Sequence, residues 1–253
     1  MFNKFLSKVG IGAAKVDTVL HNSEVVRGEY LEGEIRMVGG KNDQEINKVY
    51  LELYTYYTYE TENGESTASF VLHRLDIDEG FTLRAGEEVV YDFELEVPLV
   101  TPLTFGHTRV NLKTGLDVAW AFDPKDNDPV QVFAEPATDA LLMAAEALGF
   151  EHDHHSGDCF EMQHIQGVPY VQEFSFKGRG AIGQHVEELE MIISANENEV
   201  AVLMEVDKRN RGFRGHMMDA LDLDERHIRF SLAHDMEFSA EDLEGIIHEA
   251  LGH

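Results

Sequence analysis

Residues 89–98 read VVYDFELEVP, and this stretch decides the predicted fold because apolar and acidic side chains alternate along it. Successive side chains of a β-strand point to opposite faces of the sheet, so this alternation predicts a half-buried strand. The apolar face carries Val89, Tyr91, Phe93, Leu95 and Val97, and the opposite face carries Asp92, Glu94 and Glu96. The sheet is therefore expected to pack on a core with one face and to meet solvent with the other.

The same alternation recurs nearer the N-terminus, at residues 31–37 and 49–54. The tract YLELYTYYTYE is rich in aromatic and β-branched residues, which favour strands. Asn63 and Gly64 separate it from TASFVLHRL, and this dipeptide between two strand-like runs predicts a tight β-hairpin. Further strands are predicted at residues 16–20, 80–84, 107–119 and 130–134. Many short strands with one apolar face each indicate an antiparallel β-sandwich.

A second domain is predicted after Pro136. The segment PATDALLMAAEALGF has helical spacing, and Gly149 provides a stop signal. Strand-like alternation then resumes, and near the end Ser239 can cap a last helix that has Asp242 at its third position. The predicted parts are an amphipathic helix at 1–12, a β-sandwich at 13–135, a linker helix at 136–149, and a second β-sandwich with a closing helix at 150–253.

The chain is strongly acidic. Its 253 residues include 48 acidic and 20 basic ones, which gives a formal net charge of −28. Both halves, divided at Pro136, are acidic, and this excludes a basic face for nucleic acid. The single cysteine cannot form an internal disulfide, and no stretch approaches the roughly 20 apolar residues of a transmembrane helix. We therefore expect a cytoplasmic protein.

The predicted N-terminal helix has Phe2, Phe5 and Leu6 on its apolar side. Such a helix can dock on its own domain. The alternative is a weak peripheral contact with a membrane or a partner, which would be marginal at this length.

The tract EHDHHSGDC, residues 151–159, is the densest group of potential metal ligands. Imidazole and thiolate groups suit zinc or nickel, and the candidate ligands are His152, His154, His155 and Cys159. No second cluster stands at the usual spacing, so a polar surface loop is the alternative interpretation. No cofactor is predicted.

Two other tracts resemble metal motifs only in part. DPKDNDP, residues 123–129, offers Asp123, Asp126 and Asp128 but lacks the glycine and the final glutamate of a calcium loop, so it predicts an acidic loop. In the ending HEALGH, the two histidines are five residues apart instead of the four that a zinc-protease helix requires.

The tract EVDKRNRGFRG is a basic island in the acidic second half, and its cations are Lys208, Arg209, Arg211 and Arg214. Arginine pairs well with carboxylates because its guanidinium is bidentate, so these side chains predict an internal or interdomain ion-pair network. A partner or anion site and a solvated turn are the alternatives.

No catalytic signature is present. The nucleophile elbow, the P-loop and the dinucleotide glycine pattern are all absent from the sequence. We therefore do not expect an enzyme.

Several segments resemble one known family. They are KVGIGAAKVDTVL, VPLVTP at 97–102, the helix ending EALGF, PYVQEFSF and VDKRNRG. Together they resemble the bacterial sporulation-control family of the stage-zero protein M over residues 2–235. The resemblance implies an arrestin-like fold of two tandem sandwiches and a regulatory or scaffolding role without known catalysis.

These observations lead to two functional hypotheses. The first is a non-enzymatic adaptor that binds protein partners at sandwich edges and at the interdomain surface, with the basic island as a latch. Unpaired sheet edges would also allow a homodimer. The second hypothesis is a metal-binding sensor or metal-dependent enzyme that uses the 152–159 loop.

Overall fold

The computed structural model describes residues 12–119, 123–165, 167–207 and 227–251. The chain is mainly β, as the alternation predicts, with two α-helices in these ranges. The strands are β1 (Lys15–Leu20), β2 (Glu24–Val26), β3 (Tyr30–Val38), β4 (Gln44–Thr61), β5 (Gly64–Leu83), β6 (Glu88–Glu96), β7 (Val110–Val118), β8 (Lys125–Phe133), β9 (Phe150–His152), β10 (Cys159–Ile165), β11 (Val168–Gly178), β12 (Glu188–Ala195), β13 (Val200–Asp207) and β14 (His227–Leu232). The helices are α1 (Pro136–Ala147) and α2 (Ala240–Ala250).

The first compact unit comprises Met1–Thr55, Val71–Pro98 and Arg109–Gln131. One of its sheets has the antiparallel order β1-β3-β6, and the other contains β4, β7, β8 and β2 in that order. The stretch that decides the predicted fold is β6, whose Phe93 and Leu95 are buried while Asp92 and Glu94 are exposed. The apolar faces of the two sheets form the core because this removes them from water.

The β4–β5 hairpin is confirmed. β4 ends at Thr61 and β5 begins at Gly64. Gly64 has φ +109°, a conformation that a residue without a Cβ adopts at little cost, which explains why a tight turn forms here. The two strands are 18 and 20 residues long, the longest in the described part of the chain.

The second compact unit comprises Tyr56–Phe70, Leu99–Thr108 and Val132–His253. Its sheet has the order β14-β13-β12-β11-β10, and β9 pairs with the end of β11 beyond β10. The units are thus discontinuous in sequence, whereas the predicted parts 13–135 and 150–253 divide the chain at one place. Helix α1 lies in the second unit and packs against α2 there.

Both helices end where local chemistry dictates. Pro136 opens α1 at a position where its missing N–H is not needed, and Gly149 follows the helix with φ +96°. In α2, Ser239 and Asp242 form the predicted capping box, since each side chain accepts from the other residue's backbone N–H. Neither helix has the length or the apolar character needed to cross a membrane, and the described ranges contain no other candidate.

One prediction for this region was wrong. Most of residues 123–129 lies in β8 instead of an acidic loop. Asp126 and Asp128 share a face of the strand with Val130 and Val132, which are 3% and 1% exposed. The alternation therefore extends into the acidic tract, and the two aspartates face inward with the valines.

Candidate functional site

His152 is held as a packed core side chain. Its ring centroid lies 4.4 Å from that of Phe105 and 4.2 Å from that of Phe176. Its Nδ1 is 2.7 Å from Oγ of Ser156, and burial lowers the pKa of His152 although Glu146 lies nearby. Ring packing and this hydrogen bond fix the imidazole on the interior of the second unit.

Cys159 is buried as well. The hydroxyl of Thr108 donates to its Sγ over 3.6 Å, and burial raises the pKa of the thiol to about 12. Metals bind the thiolate form, which is scarce at neutral pH when the pKa is so high.

His154 and His155 contact each other, with ring centroids 3.8 Å apart. Nδ1 of His155 is 3.1 Å from one carboxylate oxygen of Asp158, and Nδ1 of His107 is 3.2 Å from the other. His107 lies in a distant segment of the sequence, so no local pattern could have linked it to this loop. The four predicted ligands do not converge, and the described ranges hold no group of three or more His, Cys, Asp or Glu placed to bind a metal.

The basic island at Lys208, Arg209, Arg211 and Arg214 lies outside the described residues, as do residues 1–11 of the helix predicted at 1–12. β13, which precedes the island, and its neighbour β12 carry a row of buried acids: Glu188, Glu190 and Glu205 are each less than 10% exposed. In the register of the sheet, Glu190 stands opposite Glu205, and Glu205 stands opposite His227. Nζ of Lys177 is 3.2 Å from Glu188, and Nε2 of His227 is 3.3 Å from Glu205. Buried carboxylates require cationic neighbours, and Lys177 supplies one to Glu188.

The outer side of β5 is a sheet edge. β5 pairs with β4, whose other side pairs with β7 and, near its end, with β10. Within the described ranges no second strand pairs with β5. The backbone of its residues 65–82 also forms no hydrogen bonds to loops in these ranges. The N–H and C=O groups on that side can therefore receive another strand.

Part of this edge lacks the usual protection against pairing. Residues 66–71 read STASFV and contain no charge and no proline, and we call this segment the open edge. The inner face of this segment is packed, because the ring centroid of Phe70 lies 6.2 Å from that of Tyr170. The Tyr57 ring stacks on Tyr170 with the centroids 5.9 Å apart. Val71, by contrast, is 45% exposed. The open edge is thus packed on one face of the sheet and exposed to solvent on the other.

The second half of β5 is anchored by charge. Glu52 of β4 lies between two cations, 2.5 Å from Nη1 of Arg74 on β5 and 2.5 Å from Nζ of Lys113 on β7. The guanidinium carbon of Arg74 also lies 4.1 Å from the centroid of the Tyr50 ring. That ring covers Gly115, where an added Cβ would come within 2.3 Å of it. These contacts tie three neighbouring strands together.

The tip of the hairpin is acidic. Glu60, Glu62 and Glu65 are all exposed, and they precede the open edge directly. An incoming strand that places basic residues at this tip would gain favourable charge interactions. The geometry fits an extended segment that is uncharged along the open edge and basic at one end.

Comparison with known proteins identifies the family of the chain. The model of the Spo0M family, described as SpoOM protein, matches residues 2–210. The "Sporulation-control protein spo0M" of Bacillus subtilis (strain 168) is 34% identical over 252 residues, which cover 99% of this chain and 97% of the relative. The crystal structure of Spo0M from Bacillus subtilis superposes with a TM-score of 0.84 at 32% identity, covering 96% of this chain and 99% of the other. The resemblance in the sequence is confirmed, along with the mainly β, arrestin-like fold that it implies: the chain belongs to the Spo0M family.

Proposed function

We propose that this chain is a non-enzymatic regulatory adaptor of the cytoplasm that recruits an extended segment of a partner protein to the open edge of β5. The name of its Bacillus subtilis relative supports a regulatory role. The observation that carries the mechanism is the uncharged, accessible strand edge at residues 66–71, which is supported by Tyr170. Strand addition supplies affinity through backbone hydrogen bonds, and the acidic tip supplies a preference for basic partners.

Lysines on the open edge test this proposal. The double variant Thr67→Lys with Ser69→Lys places two charges on an edge that natural proteins protect in the same way. Asn198→Lys adds a lysine at an exposed turn of the second unit and serves as the control. Purified proteins are incubated with extract of the native host, and the captured proteins are quantified by mass spectrometry. We expect a set of partners that wild type and the control capture and that the edge variant loses. Capture of the same set by all three proteins would contradict the proposal.

A second copy of the chain is the alternative occupant of this edge. Each copy carries a net charge of −28, so two copies repel at low ionic strength. A foreign segment with basic residues avoids this repulsion. Sedimentation at low and high salt distinguishes the two, because an edge-to-edge homodimer would form on adding salt and would be abolished by the same lysines.

The basic island contributes a latch in this proposal. Its arginines pair with carboxylates of the chain and release them when a partner competes. The support is the row of buried acids on β12 and β13, Glu188, Glu190 and Glu205, since β13 leads directly into the island. Arg211→Glu should lower the unfolding midpoint and change partner capture, while Arg84→Glu at an exposed loop should do neither. If Arg211→Glu leaves both unchanged, the latch is wrong.

The metal hypothesis has a direct test but gains no support from the loop geometry. Elemental analysis of protein purified without a histidine tag should show far less than one zinc per chain. Near-stoichiometric zinc that disappears in the variant His154→Ala with His155→Ala would favour the metal-binding function over the adaptor.

A further inference from the structure

Two aspartates of β8 face the interior of the first unit side by side. In the register of the sheet, Asp126 stands opposite Thr114 and Asp128 stands opposite Leu112, and both of these partners are fully buried. Residues two apart on a strand project from the same face, so the two carboxyl groups are neighbours. Burial at such positions penalises the charged form of both acids.

One of these carboxylates, that of Asp126, accepts a hydrogen bond from the edge strand of the opposite sheet. β1 pairs with β3 and has no other strand neighbour in the described ranges. The backbone N–H of Thr18 on β1 donates to Oδ2 of Asp126 over 2.7 Å, and the Thr18 hydroxyl bonds to that of Thr114. The Asp126 carboxylate therefore satisfies a backbone donor at the edge of β1 and links this strand to β8.

The surrounding charges make this arrangement sensitive to protons. Oδ2 of Asp128 is buried, and no N–H donor reaches it within the described part of the chain. Burial, the charge and hydrogen bond of Asp126, and the charge of Asp17 raise the pKa of Asp128 to about 7. The pKa of Asp17 on β1 is also raised, by burial and by Asp126, while Arg36 on β3 acts against this. Three carboxyl groups thus interact with one another, and Arg36 opposes the rise in the pKa of one of them, Asp17.

We propose that Asp17, Asp126 and Asp128 form a pH-responsive clasp that holds β1 against β8 through a proton shared by the two β8 carboxyl groups. Below neutrality, protonated Asp128 donates its O–H to Asp126, and Asp126 accepts from Thr18. On the alkaline side this proton passes to solvent, and two buried carboxylates then repel each other. β1 loosens as a result, because its outer edge depends on the same carboxylate.

The direction of the effect follows from linkage. A carboxyl group whose pKa is higher in the folded state than in the unfolded state stabilises the fold when it is protonated. That stabilisation is lost as the pH rises through the folded-state pKa. The clasp is therefore closed at pH 5.5 and open at pH 8.5.

Hydrogen–deuterium exchange of the β1 segment tests the clasp. Exchange of the full chain is followed at pH 5.5, 7 and 8.5 and is corrected for the intrinsic pH dependence of amide exchange. We expect protection of the Thr18 segment to fall at least about fivefold from pH 5.5 to 8.5 in the wild type. In Asp128→Asn, whose amide donates to Asp126 at every pH, protection should be independent of pH. Asp117→Asn, at an exposed carboxylate of β7, should behave like the wild type.

Two results would overturn the clasp. One is a corrected protection of β1 that does not change with pH in the wild type. The other is an equal change in wild type and Asp128→Asn. If Asp128→Asn does not fold, a carbon-13 titration of the wild-type aspartate carboxyl groups decides the matter. An aspartate signal on β8 that titrates near neutrality supports the clasp, and titration of every aspartate below about pH 5 contradicts it.

Discussion

β1 and β5 both lie at sheet edges, and the two edges differ in whether a side chain bonds to the backbone of the strand. The edge of β1 is closed by a side chain from the opposite sheet, since Asp126 accepts from the backbone N–H of Thr18. The edge of β5 carries no such contact along residues 66–71 within the described ranges. A closed edge serves stability and responds to the charge of the group that closes it. An open edge contributes little to stability and is available to a partner.

Removal of the closing carboxylate should have the largest effect. Asp126→Ala leaves the Thr18 N–H without its acceptor and should lower the free energy of unfolding by about 2–3 kcal/mol at pH 6. Urea unfolding measures this loss. Asp117→Ala on the neighbouring strand should stay within about 0.5 kcal/mol of wild type. Equal losses in the two variants would mean that β1 does not depend on Asp126.

The pH dependence of stability should sharpen the contrast. Asp128 has a folded-state pKa of about 7, above its value in the unfolded chain, so the wild type loses stability as the pH rises toward 8. Asp128→Asn removes this loss and should be more stable than wild type by about 1–2 kcal/mol at pH 8, after allowance for solvent screening. The advantage should shrink toward pH 5. Thermal unfolding across this range measures it, and an advantage that grows toward acid would contradict the assignment.

The anchored half of β5 should show a smaller effect. Arg74→Ala removes the ion pair with Glu52 and the contact with the Tyr50 ring, at a side chain that is 41% exposed. We expect a loss of about 0.5–1 kcal/mol, which high salt reduces. Arg84→Ala, at an exposed loop, should cost almost nothing in the same unfolding assay.

The open edge should show the smallest effect on stability. Thr67→Lys should change the free energy of unfolding by no more than about 0.5 kcal/mol, because its side chain is exposed and no strand in the described ranges pairs with the outer backbone. The same variant should reduce partner capture. A loss of more than about 1 kcal/mol would show that the edge is covered in the folded chain.

Much of the fold could be predicted from local patterns. Alternating side chains locate β3, β4 and β6, and Asn63 with Gly64 locates the hairpin. Capping chemistry at Ser239 locates the start of α2. These features depend on residues that are neighbours in the sequence, where strand period, turn geometry and helix caps act directly.

The features that local patterns did not reveal depend on distant contacts. Asp126 and Asp128 resemble a loop because charge and Pro129 argue against a strand, although the continued alternation to Val130 and Val132 was an available signal. The contact of His107 with Asp158 had no signal at all. Neither had the burial of Cys159.

The burial of Cys159 has a practical consequence. This residue is the single cysteine of the chain, and its thiol is buried with a pKa of about 12. Thiol-directed reagents at neutral pH should therefore not react with Cys159 in the native protein. A cysteine introduced on an exposed position such as Ser69 would then be the one site that accepts a fluorophore or a spin label, without any need to mutate the natural residue.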